Sequence, residues 1–321
     1  MHNHKAISQS IFQLLEKSQD VLLISHQKPD GDTLGSSLAL FSYLSKLNKN
    51  VSSFCTDPVP DNLEFLPNSY QLTTDHLVFT KKYDLVITLD SSNLDYAGIN
   101  NLMSALPLGY TLINIDHHIS NPLYGDINLV IDSASSTSEV VYRLLKDWYI
   151  QWDKDIATCL IAGIITDTDG FKNGATNYQA LAAASDLIAY GAKTQQIIKN
   201  SLNKINIESL KLWGIALERL KKIDKHNIVY TWITQDDFKN CQANENASDG
   251  LANFLHILKE GQIIMVLTER ADGTVKGSLR TTSNIDLTKL AALFGGGGHK
   301  KAAGFSLPGK LVYDNNKLRI I

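Results

Sequence analysis

Nearly continuous apolar runs recur through the first half of the chain: "VLLISH" (21–26), "YDLVITLD" (83–90) and "YTLINIDHH" (110–118), with a more mixed run, "NVSSFC", at 50–55. Their length and β-branched content read as strands. Helical patterns fall between and after them, at Gly35–Leu47 and around 96–105, 137–149, 154–166 and 177–190. Strands that are apolar on both faces and alternate with helices predict an α/β domain with a mostly parallel sheet flanked by helices on both sides. The stretch 191–206 is polar with sparse apolar positions and reads as a linker. Beyond it the texture changes to an amphipathic helix at 207–223 and strands at 227–234, 262–270 and 274–282. The last two are joined by the turn "ADG" (271–273), and a helix at 286–294 leads into "GGGGHKKAAGF" (295–305). The expected organisation is one domain at 1–190, a linker at 191–206 and a smaller α/β domain at 207–321.

Composition agrees with a globular protein: 44% of the 321 residues are apolar and 20% charged, near the usual shares. No run approaches the eighteen or so apolar residues that a membrane span needs. The three cysteines, Cys55, Cys159 and Cys241, are widely spaced and never form a CxxC pair. That excludes a disulfide framework or thiolate zinc site and suits a reducing, cytoplasmic setting. The net charge of −3 conceals an asymmetry. Residues 1–204 hold 14 Lys/Arg against 21 Asp/Glu, whereas residues 205–321 hold 16 against 12. An acidic half suits cations and a basic half suits an anionic ligand.

The candidate chemistry lies at the strand ends. The loop "SHQKPDGDTLGSS" (25–37) carries His26, Asp30 and Asp32, and Pro29 and Gly31 permit a tight path. Asp90 closes its strand, Asp116-His117-His118 closes another, and "IAGIITDTDGF" (161–171) brings Asp167 and Asp169 off an apolar run. Singly, each acid could be a helix cap or turn residue. Three such groups in a row, buried without partners, would be costly, and all converge on one sheet edge. Two imidazoles and four carboxylates, with His118 to spare, suit two divalent ions sharing a carboxylate better than one ion. Mixed imidazole and carboxylate favours Mn²⁺, Fe²⁺ or Zn²⁺ over Ca²⁺. The residues alone do not assign ligands to particular ions. Ions so paired activate water, so no serine nucleophile is called for, and "GSS" (35–37) reads as a helix start. In the second half, four glycines let backbone N–H groups approach an anion, with His299, Lys300 and Lys301 following and Arg280 upstream. The planar fork of Arg280 can hold a terminal phosphate through two hydrogen bonds. Trp232 and Phe305 could stack on a base but fit better as core residues.

H-x₃-D-x-D at His26/Asp30/Asp32, the strand-end Asp90, the Asp116-His117-His118 triplet and the "TDT" around Asp167 resemble, in order, the four motifs of the DHH phosphoesterase superfamily. "GGGGHKKAAGF" and "GSLRT" (277–281) are similar to the signatures of the DHH-associated substrate domain. The resemblance covers nearly the whole chain, points to the nanoRNase/pAp-phosphatase branch and implies an active site in the cleft between the two domains. It implies one ion, commonly Mn²⁺, on His26, Asp30 and Asp90, and a second on Asp32, Asp90, His117 and Asp167, with Asp90 bridging. It further implies that His118 faces the substrate phosphate, that Asp116 supports a histidine from behind, and that Arg280, Gly296, Gly297, Gly298 and His299 bind substrate. Relatives usually carry a small residue where Asp169 stands.

The expected function is hydrolysis of short RNA or DNA oligonucleotides, linear dinucleotides such as pApA, and pAp, by an oligoribonuclease or bisphosphate nucleotidase type of enzyme. A pyrophosphatase or exopolyphosphatase on the same catalytic domain is the alternative. A long-strand exonuclease would need further nucleic-acid-binding domains, and a non-catalytic binding module would have no use for six matched ligands. No membrane is expected as a partner, and a homodimer is left open.

Overall fold

The computed structural model describes residues 2–202, 206–255, 258, 260–315 and 317–321. The chain divides into two compact units, Met1–Lys204 and Ile205–Ile321.

In the first unit, α1 (His2–Lys17) precedes β1 (Asp20–Ile24), α2 (Gly31–Lys46), β2 (Asn50–Phe54), β3 (Leu72–Thr73), β4 (Leu85–Leu89), β5 (Thr111–Asp116) and β6 (Ile127–Val130). Helices α3 (Thr137–Asp147), α4 (Lys154–Asp167), α5 (Tyr178–Ala189) and the short α6 (Thr194–Ile197) follow. The six strands form one wholly parallel sheet in the order β3-β2-β1-β4-β5-β6. Side chains alternate across it. Val21 and Leu23 of β1 enter a core shared with α2, α3, α4 and α5, while Leu22 and Ile24 enter a second core on the opposite face. All four are fully buried, each contributing about 1.5–3 kcal/mol relative to exposure.

The second face departs from expectation. The predicted helix at 96–105 is instead a series of turns ending in a 3₁₀ turn, Met103–Ala105. Gly98 sits at φ +74, which breaks a right-handed helix, and Pro107 lies just beyond. Ala97, Ile99 and Leu106 still bury themselves against β1, β2 and β4, so this face is closed by loops and 3₁₀ turns. The second helix also begins earlier than predicted, at Gly31 rather than Gly35, because the Asp30 carboxylate accepts the Asp32 and Thr33 N–H groups as its cap. "GSS" therefore lies inside the helix. The expected linker joins this unit through its first part. Ile197 is fully buried in the main core, and the Lys193 N–H donates to Thr158 Oγ1 at 3.1 Å. Residues 203–205 of that stretch lie outside the described residues.

The second unit opens with α7 (Ile207–Glu218). The predicted extension of this helix to 223 is not formed, because Lys221–Ile223 becomes the edge strand β7. Then come β8 (Ile228–Ile233), α8 (Gln235–Cys241), α9 (Leu251–Phe254), β9 (Ile263–Glu269), β10 (Thr274–Arg280), α10 (Leu287–Ala292), β11 (Gly297–His299) and β12 (Ala302–Pro308). A hairpin, β13 (Leu311–Asp314) and β14 (Lys317–Ile320), ends the chain. The mixed sheet runs β11-β12-β10-β9-β8-β7, with only β8 and β9 parallel. One core packs α7, α8 and α9 against it, and another packs α10 and the hairpin. Trp232 and Phe305 are core residues at 6% and 7% exposure. No helix among the described residues is long and apolar enough to cross a membrane.

Candidate active site

The strand order of the first sheet reverses between β1 and β4, which opens a crevice at their carboxyl ends. His26 lies just past β1, Asp90 just past β4 and Asp116 at the end of β5. The loop after β1 delivers Asp30 as the cap of α2 and Asp32 in its first turn, and α4 ends at Asp167. Among the described residues three sets of ligand atoms lie within 4.8 Å of one another: His26, Asp30 and Asp90; Asp32, His117 and Asp167; Asp90, His117 and His118. Each could hold a cation, and all six residues expected as ligands are brought together.

Asp90 stands in the middle. One of its oxygens is 3.4 Å from His26 Nε2 and the other 3.6 Å from His117 Nε2, so the carboxylate faces both sets. Its backbone is left-handed at φ +56, uncommon outside glycine and frequent at functional sites. Its N–H nonetheless continues the β4–β5 ladder to Ile115 O at 3.0 Å.

The imidazoles are oriented from behind. His26 Nδ1–H donates to its neighbour's Gln27 carbonyl at 2.7 Å, which directs Nε2 toward Asp30 and Asp90. His118 Nδ1 is held by Asp116 Oδ1 at 2.8 Å, the same oxygen accepts the His117 N–H at 2.7 Å, and Asn121 Nδ2 donates to Asp116 Oδ2 at 2.6 Å. Asp116, fully buried, thus steadies both histidines without itself joining a cation set.

The electrostatics are those of a cation site. Burial raises Asp32 well above the ordinary carboxylate range, and the neighbouring Asp90 and Asp30 charges add to it. Asp167 is raised in the same way, by burial and then by Asp32, Asp90 and Asp30. Burial disfavours charge on His26 too, but hydrogen bonds and charges from Asp30 and Asp90 prevail and push it up to about 12. Burial likewise opposes charge on His118, and Asp116 overcomes it, so this imidazole is also raised. Crowded carboxylates that draw protons onto themselves and onto imidazoles are unmatched negative charge, which divalent ions would neutralise.

Several positioning residues carried no signal in the sequence. Both oxygens of Asp32 accept N–H groups from the first turn of α3, Thr137 at 2.6 Å and Ser138 at 2.8 Å, while Thr137 Oγ1–H donates to Asp90 Oδ1 at 3.0 Å. The fully buried Glu139 braces this turn by accepting the Ser135 N–H at 2.7 Å and pairing with Arg143. The approach requires glycine at 163, where an added Cβ would lie 2.0 Å from Ser138 Oγ and 2.6 Å from Asp32 Oδ1. Tyr96 packs its ring 5.0 Å from that of His26 and 6.2 Å from that of His118. Asp169 sits outside the cation sets, in a turn at φ +50.

In the second unit Arg280 ends β10. Two of its N–H groups are engaged, Nε with Asn253 Oδ1 at 2.7 Å and Nη1 with the Leu279 carbonyl at 2.9 Å. It lines a small polar cavity of about 70 Å³ with Asn253, Ser248, Lys276 and Ser278. The four glycines, expected to bring backbone N–H groups to an anion, are in part engaged within the unit. Gly296 N–H is spent on the Ala291 carbonyl at 2.9 Å, and Gly297 and Gly298 belong to the edge strand β11 paired with Gly304 and Ala303. Gly296 and Gly298 are glycines for close approach: a Cβ on Gly296 would meet Gly304 O at 2.1 Å, and one on Gly298 would meet Ala302 O at 2.7 Å. The backbone of His299 closes this strand, and its side chain lies outside the described residues.

A parallel sheet with a reversal point, lined there by imidazole and carboxylate cation sets and followed by a separate mixed-sheet unit, defines a two-unit metal-dependent hydrolase. Residues 20–164 match the DHH family N-terminal domain and residues 226–318 the DHHA1 domain. The chain belongs to the DHH family of phosphoesterases, in its NrnA-like branch. It is 29% identical over 289 residues to the bifunctional oligoribonuclease and PAP phosphatase NrnA of Thermus thermophilus, covering 90% of this chain and 84% of that protein. The corresponding protein of Bacillus subtilis is 26% identical over 290 residues, 89% of each. An exopolyphosphatase-related protein of Bacteroides fragilis, 26% identical, shares the fold with a TM-score of 0.85 over 95% of this chain and 92% of its own.

Proposed function

We propose that this chain hydrolyses short oligonucleotides, linear dinucleotides such as pApA, and pAp to mononucleotides, with two divalent ions, Mn²⁺ the first choice. The observation that carries the reading is the double-faced Asp90, set between one imidazole–carboxylate group (His26, Asp30) and another (His117, Asp32, Asp167). These six residues would hold the ions. When bound, two such ions activate water and offset charge on phosphoryl oxygens. The chain's own groups do the rest. Gln27 and Asp116 fix the histidines, α3 fixes Asp32 and Asp90, and His118, held through Nδ1 by Asp116, is assigned to a phosphate oxygen. Arg280, with the backbone of Gly297, Gly298 and His299 beyond the engaged Gly296 N–H, is assigned to the substrate's remaining phosphate or nucleotide. The similarity to NrnA proteins over nine-tenths of the chain supports nucleotide substrates.

The alternative, a pyrophosphatase or exopolyphosphatase, is kept in view by the name of the Bacteroides fragilis protein. Assaying pApA, pAp, pyrophosphate and polyphosphate side by side with Mn²⁺ decides between them. Turnover of the first two at the higher kcat/KM is expected. Turnover of the inorganic substrates alone would overturn the proposal.

A further inference from the structure

Tyr96 is 43% exposed, yet its surroundings are those of a fixed element. Its N–H donates to Asn93 Oδ1 at 2.7 Å, and the next residue's N–H returns to the Asn93 carbonyl at 3.1 Å. Ala97 and Ile99 are fully buried in the core beneath. Between them Gly98 is left-handed, and even a Cβ there would press on Thr56 at 3.1 Å. The loop therefore has little freedom. One part of the tyrosine ring packs against His26 at 5.0 Å with a 46° tilt, and His118 lies 6.2 Å away. A ring so placed stands at the rim of the cation sets with a solvent-facing surface that no other described aromatic ring covers.

We propose that Tyr96 is a stacking platform for the base of the nucleotide whose phosphate occupies the metal site, and so selects nucleotides over inorganic phosphates. This rests on the proposed nucleotide chemistry. The physical case has three parts. Every nucleobase has a π-face and is accepted without hydrogen-bond readout, which suits an enzyme clearing short fragments of any sequence. A tyrosine has only two side-chain torsions to immobilise, and a pre-fixed backbone lowers the ordering cost further. Pyrophosphate and polyphosphate offer the ring nothing to stack on, so the discrimination arises from the chain's first unit alone.

The test compares pAp with its abasic counterpart, ribose bisphosphate lacking adenine, in the wild type, Tyr96→Ala and Tyr96→Phe. Wild-type kcat/KM should favour pAp by roughly 5- to 150-fold, the range expected of one base–aromatic stack. Tyr96→Ala should bring the two substrates to near parity, and Tyr96→Phe should keep the preference, since the ring rather than the hydroxyl provides it. Calorimetric binding of AMP should weaken by a similar factor in Tyr96→Ala and not in Tyr96→Phe, with Mn²⁺ affinity measured separately so that any effect through His26 is subtracted. A wild type indifferent to the base, or an alanine variant that loses equally on both substrates, overturns the inference. If the wild type turns over neither compound, the proposed function fails, and the AMP isotherms still decide the role of Tyr96.

Discussion

Replacing Thr137 by valine removes one hydroxyl from behind the carboxylate that faces both cation sets. The bond lost, Thr137 Oγ1–H to Asp90 Oδ1, spans 3.0 Å between residues 0% and 3% exposed. Water cannot replace the donor, and the acceptor is a carboxylate oxygen, so the contact is worth about 1.5–3 kcal/mol. The new methyl fills the space and leaves no cavity of consequence, which separates the electrostatic loss from a packing loss. Asp90 then keeps its left-handed backbone with one fewer restraint on its side chain. The full loss expressed in the transition state would lower kcat/KM on pApA by roughly 10- to 150-fold. Mn²⁺ titration should show weaker binding at the sites that share Asp90. Thr137→Ser, which restores the donor, should recover most of both. A valine variant that binds Mn²⁺ and turns over pApA like the wild type would refute the assignment of Thr137 as a positioning residue.

Three further outcomes are expected. Gly163→Ala, by driving a methyl onto Ser138 and Asp32, should lower thermal stability and Mn²⁺ affinity together, and a variant with unchanged Tm would show that α4 yields more easily than its packing implies. Asp167→Ala should abolish activity while Asp169→Gly keeps most of it, and the reverse in a Mn²⁺-saturated assay would move the ligand to Asp169. Because Asp32 and Asp167 are raised in the fold, metal-free protein should lose stability as pH rises from the ordinary carboxylate range through their folded values. Mn²⁺ must displace those protons, so the Tm gain on adding it should grow between pH 5 and pH 8, and a gain that shrinks over that range contradicts the shifts.

The strands were legible because apolar runs of five or six residues, too short for buried helices, have few other uses, and the candidate ligands were legible because imidazoles and carboxylates rarely end such runs. The helix at 96–105 was misread for a local reason. Its apolar positions are spaced well enough, but Gly98 and the Asn93 side chain favour turns, and those apolar groups bury equally well from a loop. The strands β11 to β14 escaped notice because glycine-rich and short mixed segments lack a period, and pairing had to supply what the pattern did not, β12 on β10, β11 on β12 and β13 with β14. Likewise "SSTSEV" (135–140) looks like an ordinary helix start, and its cap at Ser136 is ordinary. Nothing local reveals that its N–H groups meet Asp32, more than a hundred residues earlier, or that Thr137 reaches Asp90.

By itself, then, the order of residues determined which elements form, where their polar ends lie and which atoms could bind a cation, because periodicity and side-chain chemistry act over a few residues. Which ligands share an ion set, the two-faced position of Asp90, the brace from α3 and the placing of Tyr96 beside His26 were decided only by the tertiary structure. Those depend on the parallel order β3-β2-β1-β4-β5-β6, whose reversal brings the ends of β1, β4 and β5 side by side, and on a glycine at 163 that lets α4 close upon them. Contacts between residues so far apart in the chain are fixed by how whole elements pack, and no short window of sequence contains them.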